Sequence, residues 1–539
     1  MKWGRGRLPA MTFFCSKVKG LIMRKYLTRL GLAVLALGFI YNGNIHDVSA
    51  AANIQSKVLE VPAKANNAIN SPMIKGIRLG DDLIKTRIVL DLTSIPEYAI
   101  TEEDGGKQLK ILMFNTISDS NASIPAVKGG VVTRIFSVAD GPSTLLTIDL
   151  KDAINYKAFV LKNPNRLVID VNKEYEQVKT TAEADGLTMI KYFHTDAGGP
   201  VTAWLLDVDP SVYDVKGVLA GGSVSSGRFT VKNIASTNKA AAAVNGGYFS
   251  YNGELIGVNK LNGKTAGTTY FTRSGWGIMA DGSVKIGKVA YGGYVTINGI
   301  TLPVSGVDSS RGENNLILYN SNYGKTTNTN EFGMEYTIRN GKVISLQQSN
   351  SVIPSNATVV SVHGTSKEAF KDVKVGDEAE IYEVFEGGLE DAVSIIGAGP
   401  ELLRNGKIHV TAEEEEFPDD IAVGKAPRTA MGLMSNGHIM LAVIDGRQEH
   451  SRGTTLEETA ALMKRFGAVD AINLDGGGSS EMVVNNAIVN KPSDGGERPV
   501  ASGVVVVPKN GAAVQWYQPQ PKEQVKPAPK VPNKPNTKK

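Results

Sequence analysis

The stretch Asn473-Leu-Asp-Gly-Gly-Gly-Ser-Ser480 constrains this chain more than any other. Three consecutive glycines carry no Cβ, so the backbone can turn sharply, adopt φ > 0 and approach a ligand closely. A carboxylate stands just before them and two hydroxyls just after. The turn would therefore gather an acid, bare N–H groups and Ser side chains in one small volume. An Asx-type hairpin turn uses the same residues without chemistry, so the flanks matter. Ala468 to Leu474 reads as a strand and Met482-Val-Val484 as another. A phosphate-binding P-loop must instead open a helix and end in Gly-Lys-Ser/Thr. Here the lysine is missing and β-branched residues follow, which excludes a nucleotide P-loop.

The surrounding segments extend that reading. Ala241-Ala-Ala-Val-Asn-Gly-Gly-Tyr-Phe249 reads as a buried strand ending in a glycine turn, and Ile439 to Ile444 as an apolar strand ending in Asp445-Gly-Arg447. Thr455-Leu-Glu-Glu458 is a capping box, with Thr at the N-cap and Glu at N3. The helix it opens carries Leu456, Ala460, Met463 and Phe466 at helical spacing and stops at Gly467, a good C′ residue. Residues 183–508 are thus expected to form one α+β unit, a mixed β-rich domain with helices.

The N-terminal part differs. Arg24, Lys25 and Arg29 precede the apolar run Leu30 to Tyr41, and small residues follow at Val48 to Ala52. That run suits a signal-peptide core and is short for a membrane span. Residues 1–50 read as a signal peptide, with Met23 an alternative start, and 51–71 as a linker. The single cysteine, Cys15, falls before the apolar run, so the exported chain would have no disulfide and no membrane span. From 72 to 172, short period-two segments (Arg87 to Leu92, Leu109 to Phe114, Arg134 to Val138, Leu145 to Leu150, Arg166 to Val171) alternate with turn clusters. This predicts a small all-β domain. Phe159-Val-Leu-Lys-Asn-Pro-Asn-Arg-Leu-Val-Ile-Asp-Val171, with Arg87 to Leu92 and Tyr98, resembles the AMIN domain. The resemblance implies a small all-β sandwich that holds envelope proteins to the cell wall through peptidoglycan; a plain β-sandwich spacer is the alternative. Asn172 to Asp185 reads as a charged connector, and residues 509–539 as a Pro/Lys-rich disordered tail. A net charge of +4 over 539 residues gives no concentrated basic face for nucleic acid.

Five glycine-flanked polar clusters punctuate the larger region: Asn245 to Phe249, Arg428 to Gly432, Asp445 to Arg447, Asn473 to Ser480, and Gly496-Glu-Arg-Pro499. Together they supply carboxylates, arginines, amides and hydroxyls. Arginine forks suit phosphate oxygens, and a carboxyl pair can work at an anomeric carbon. In order, the first four clusters resemble the motifs of the phosphodiester glycosidase family, whose animal member removes N-acetylglucosamine from a phosphodiester. Ser451 to Glu458, Gly397 to Leu403 and Glu497-Arg498 resemble further family segments. Tyr248 stands where a second Phe is frequent. The acidic run Glu413 to Glu416 reads as a solvated loop.

The resemblance implies hydrolysis of a sugar-1-phosphodiester at the C1–O bond. Asp475 and Asp445 are the expected acid/base or nucleophile pair, with Glu497 third. Arg428, Arg447 and Arg498 would take the phosphate, Asn245 and Asn473 would orient the sugar, and Gly246, Gly476, Gly477, Gly478, Ser479 and Ser480 would line the site. No cofactor is called for; spacing leaves open whether the carboxylates hold a divalent cation. The expected substrate is an envelope glycan or exopolysaccharide, and the expected location is outside the membrane, in the periplasm or at the wall. A non-catalytic wall-glycan-binding protein and an adhesive scaffold are the competing readings.

Overall fold

Strands with alternating burial dominate the computed structural model, which describes residues 71–517 apart from 83, 120–122, 128, 129, 154, 197 and 262. The readings on residues 1–70 and 518–539 (signal peptide, Cys15, linker and most of the tail) lie outside the described residues. Lys85–Leu92 shows the simplest case, every second side chain buried. It pairs with Met73–Asp81 and Arg166–Asn172 in a five-stranded sheet. A four-stranded sheet runs Tyr98–Glu103, Gln108–Met113, Ser143–Leu150, Val132–Asp140. The two share one apolar core containing Ile88, Leu90, Ile111, Leu146, Ile148 and Ile169, which makes a β-sandwich.

Beyond it lies an eight-stranded antiparallel sheet, in the order Tyr175–Ala184, Leu187–Asp196, Gly199–Val208, Ile439–Ile444, Arg428–Met434, Ala468–Asn473, Glu401–Arg404, Lys407–Ile408. Because side chains alternate between faces, this sheet buries two sets of residues. On one face the helix Leu456–Arg465 lays Leu456, Ala460 and Met463 against Leu205, Ala430, Met440 and Ala442. Its N-terminus carries the reciprocal Thr455–Glu458 capping box, and Gly467 beyond its end has φ +101°. On the other face Leu206, Met431, Leu441, Val443 and Ile472 meet Val215, Val244, Met482 and Val504 of a second sheet. That sheet is ordered Tyr213–Leu219, Ser502–Pro508, Ala242–Asn245, Met482–Val484, Ala487–Ile488. The short helix Val231–Thr237 covers its outer side through Val231 and Ile234. The result is a helix–sheet–sheet–helix stack, α+β and rich in strands. Residues 259–397 add two further sheets between its parts, of seven and five strands.

Three expectations change here. Tyr175–Ala184, read as part of a connector, is a ten-residue edge strand whose side chains are mostly exposed, so no apolar alternation betrays it. Residues 512–517 do not leave the fold as a free tail: Trp516 bridges Ala184 and packs on the core, and the Tyr517 amide donates to the Glu183 carbonyl. In the acidic run, Glu415 is buried rather than solvated. Its carboxylate accepts hydrogen bonds from the Ser274 amide at 2.7 Å and hydroxyl at 2.6 Å, and from Thr411.

Candidate active site

Register brings the polar clusters together. Arg428 pairs with Ile444, and Ala430 with Asn473, so the start of one strand and the ends of two others fall together at one end of the central strands of the large sheet. Asn245, last in its own strand, reaches the same place from the second sheet. Its Nδ2 donates to the Asp475 carbonyl at 2.6 Å, and its Oδ1 accepts from Thr429 Oγ1 at 2.7 Å and the Glu481 amide at 3.3 Å. The Asp475 amide donates to the Gly246 carbonyl at 3.1 Å, closing the clasp.

The glycines are explained by what crowds them. A Cβ on Gly246 would stand 2.3 Å from Ser502 Oγ, and one on Gly476 would stand 2.8 Å from the Pro427 carbonyl oxygen. Gly477 has φ +62°, a conformation L side chains rarely adopt. A Cβ on Gly478 would lie 2.1 Å from Arg498 Nη2 and 2.3 Å from Asp494 Oδ2. The loop amides were expected to face a ligand. Instead the Gly476 amide donates to Asp475 Oδ1 at 2.9 Å and the Gly477 amide to the Pro427 carbonyl at 2.9 Å.

The three arginines have different situations. Arg447 is exposed, sits at φ +59°, and its guanidinium lies over Gly477, with no hydrogen bond to another described residue. Arg498 packs on Gly478 and pairs with Asp494 at 2.6 Å rather than with its neighbour Glu497. Arg428 is buried; it donates Nε to the Thr454 carbonyl at 3.1 Å and Nη2 to those of Ile421 at 3.0 Å and Gly424 at 2.5 Å. Burial lowers its pKa, and the charge of nearby Arg447 adds to that.

The carboxylates separate in the same way. Asp475 is partly exposed at the loop, and burial pushes its pKa up to about 6; the Ser479 hydroxyl, the Gly476 amide and the Arg498 charge act in the opposite sense. Asp445 is 1% exposed and fully engaged. His450 Nε2 lies 2.8 Å from Oδ2, and Asn490 Nδ2 and the Lys491 amide both donate to Oδ1 at 3.0 Å. Both Asp445 oxygens are thus taken by partners within the protein, whereas Asp475 Oδ1 meets the amide of its own loop. Asn473 likewise spends its Nδ2 on Tyr248 Oη at 3.0 Å and on the carbonyls of Gly399 and Leu474. Tyr248 donates to the Gly399 carbonyl at 2.8 Å, and burial together with the Asp475 charge raises its pKa.

Several buried polar atoms here have no partner among the described residues: Asn473 Oδ1, Ser480 Oγ, Ser493 Oγ, Glu497 Oε1 and both oxygens of Glu481. Such atoms normally find partners, and each unmet one costs about 1–3 kcal/mol. All six belong to residues 473–497, the loop and the segment that follows it. Sequence reasoning missed Glu481, Asp494 and His450. Glu481 could have been found, since it directly follows the octet. A cavity of about 520 Å³ lies elsewhere, lined by Lys264, Arg339, Asn356 and Glu380 among others, and contains none of these atoms. Among the described residues no three His, Cys, Asp or Glu side chains are placed to hold a metal ion.

A sheet-on-sheet α+β fold with a glycine-rich acidic loop at the strand ends defines the class, and comparison with known proteins agrees. The sequence profile of the phosphodiester glycosidase family matches residues 320–507. The chain is 37% identical over 102 residues to N-acetylglucosamine-1-phosphodiester alpha-N-acetylglucosaminidase of Bos taurus, covering 17% of this chain and 19% of that protein. It is 38% identical over 82 residues to the SPbeta prophage-derived uncharacterized protein YomE of Bacillus subtilis, covering 15% of this chain and 13% of that one. The chain thus spans about a fifth or less of the length of these relatives. Among solved structures, a hypothetical protein from Synechocystis aligns over 81% of both chains with a TM-score of 0.55 and 21% identity. A protein from Burkholderia pseudomallei, provisionally described as exported, aligns over 80% of this chain and 97% of its own with a TM-score of 0.51 and 19% identity. Both show likeness of fold. The part of the chain that resembles the phosphodiester glycosidase family is thus residues 320–507.

Proposed function

We propose that this protein is an exported hydrolase that cleaves a sugar-1-phosphodiester at the glycosidic C1–O bond, releasing free sugar and a phosphomonoester. The observation that carries the reading is the convergence at the glycine loop of an accessible carboxylate with a raised pKa, Asp475, and an exposed, unengaged guanidinium, Arg447. Arg447 and Arg498 bind the phosphate, with Arg428 holding the adjoining loops around them. As the C1–O bond breaks, negative charge grows on the departing phosphate. Fixed guanidinium groups there stabilise the transition state more than the ground state. Phosphate leaves readily, so protonation of the leaving oxygen contributes less than in ordinary glycosides. Asp475, ionised above about pH 6, supplies the carboxylate at the sugar side, and Glu497 the second acid. Asp445, Asn245 and Asn473 frame the site instead of touching the reacting atoms. Ser479 and Ser480 line it.

The substrate class is an envelope or exopolysaccharide glycan, and the N-terminal sandwich tethers the enzyme to the wall by binding peptidoglycan. The apolar run Leu30 to Tyr41 supports export, and among the described residues no helix is long and apolar enough to cross a membrane. The test is incubation of the purified protein with UDP-N-acetylglucosamine and with wall-polymer fragments, following free sugar. Release of sugar with a matching phosphomonoester is expected. Saturable binding without release would instead favour a wall-glycan-binding protein.

A further inference from the structure

Glu481 follows the glycine loop directly and is 1% exposed. Its amide donates to Asn245 Oδ1, the same atom that receives the Thr429 hydroxyl, so its backbone is held by the clasp that holds the loop. Neither carboxyl oxygen makes a well-formed hydrogen bond to a described residue, and the polar groups acting on it at close range are the Glu497 carboxyl and the Lys232 backbone amide. Glu497 Oε1 is buried without such a bond as well. Ionised carboxylates only accept hydrogen bonds, so this contact is satisfied only when one of the two carries a proton. The charged groups acting on Glu481 are Glu497, from the segment that also bears the Asp494–Arg498 pair, and Lys232 of the helix Val231–Thr237. Burial pushes the Glu481 pKa up to about 8, the charge of Glu497 adds to this, and Lys232 opposes it.

We propose that Glu481 is a positioning residue that shares a proton with Glu497 and thereby holds residues 494–498 and the Arg498 guanidinium in register over Gly478. Loss of the proton places two buried negative charges in contact, pushes Glu497 away and carries Arg498 out of register. The role deepens the phosphodiester reading and rests on it only for the consequence in turnover; the shared proton is a separate claim.

Infrared difference spectroscopy of the whole protein, titrated from neutral to alkaline pH, tests the proton directly. A protonated-carboxyl band should disappear with a midpoint of about 8 and be missing from Glu481→Gln. In sugar release from UDP-N-acetylglucosamine, Glu481→Ala should lower kcat/KM about tenfold or more, the scale of a misplaced catalytic group. Glu481→Gln keeps a donor toward Glu497, so it should recover most of that loss and move the alkaline limb to higher pH. No protonated band in the wild type at neutral pH, or an unchanged band in Glu481→Gln, overturns the proposal even if turnover is robust. If no sugar is released by any form, the phosphodiester reading fails while the band still decides the proton. Should Glu481→Ala not fold, the Gln variant carries both comparisons.

Discussion

Replacing Asp475 by Asn removes a charge while leaving an acceptor for the Gly476 amide. Burial holds this carboxyl at about 6 against an ordinary 3.8, a difference that corresponds to about 3 kcal/mol. The folded protein binds the proton more tightly than the unfolded chain does. The stabilisation by the protonated form is therefore intact below about pH 4 and is lost as the pH rises through 6. Above that, ionised Asp475 weakens the fold by up to about 3 kcal/mol relative to a side chain that never ionises. Asp475→Asn should accordingly exceed the wild type in stability by up to about 3 kcal/mol at slightly alkaline pH, match it near pH 4, and release no sugar. Urea unfolding followed by tryptophan fluorescence is suited to the comparison, since Trp204 and Trp276 lie in the core beneath the site. Wild-type kcat/KM should fall as the pH drops below about 6. A gain that is equal at both pH values, or a loss at both, would refute the burial argument. Full turnover by the variant would refute the catalytic one.

Three other substitutions separate chemistry from framework. Arg447→Ala removes a guanidinium with no hydrogen bond to a described residue, so kcat/KM should drop about 100-fold while stability stays within about 0.5 kcal/mol in urea unfolding. Gly478→Ala puts a methyl group where Arg498 and Asp494 pack; a loss of about 100-fold in turnover is expected, with an unchanged far-ultraviolet circular dichroism spectrum. Asp445→Ala leaves the donors of Asn490, Lys491 and His450 without their acceptor. It should cost about 3 kcal/mol in chemical unfolding, which a catalytic role alone would not produce.

Local patterning made much of the framework legible. The capping box and the spacing of Leu456, Ala460 and Met463 predicted the helix found at Leu456–Arg465. The apolar run at Ile439 delimited its strand to the residue, and the octet did turn strand into strand. These features repeat over two to four residues, so a short window contains the information. Tyr175–Ala184 escaped because an exposed edge strand needs no buried face. Glu415 escaped because a glutamate run looks the same whether water or Ser274 and Thr411 meet it. The site shows the division most clearly. Its residue types were readable from the chain, but their employment was not. Whether Arg428 or Arg447 has a free guanidinium, whether Asp445 or Asp475 has an open carboxylate, and which acid Glu481 meets depend on which groups the fold turns toward them, from the Gly424 carbonyl four positions from Arg428 to the Lys491 amide 46 positions from Asp445. Asn245 clasps Asp475 across 230 positions and Thr429 across 184. A polar side chain carries the same chemistry in every fold; packing alone decides whether the protein itself or a ligand satisfies it.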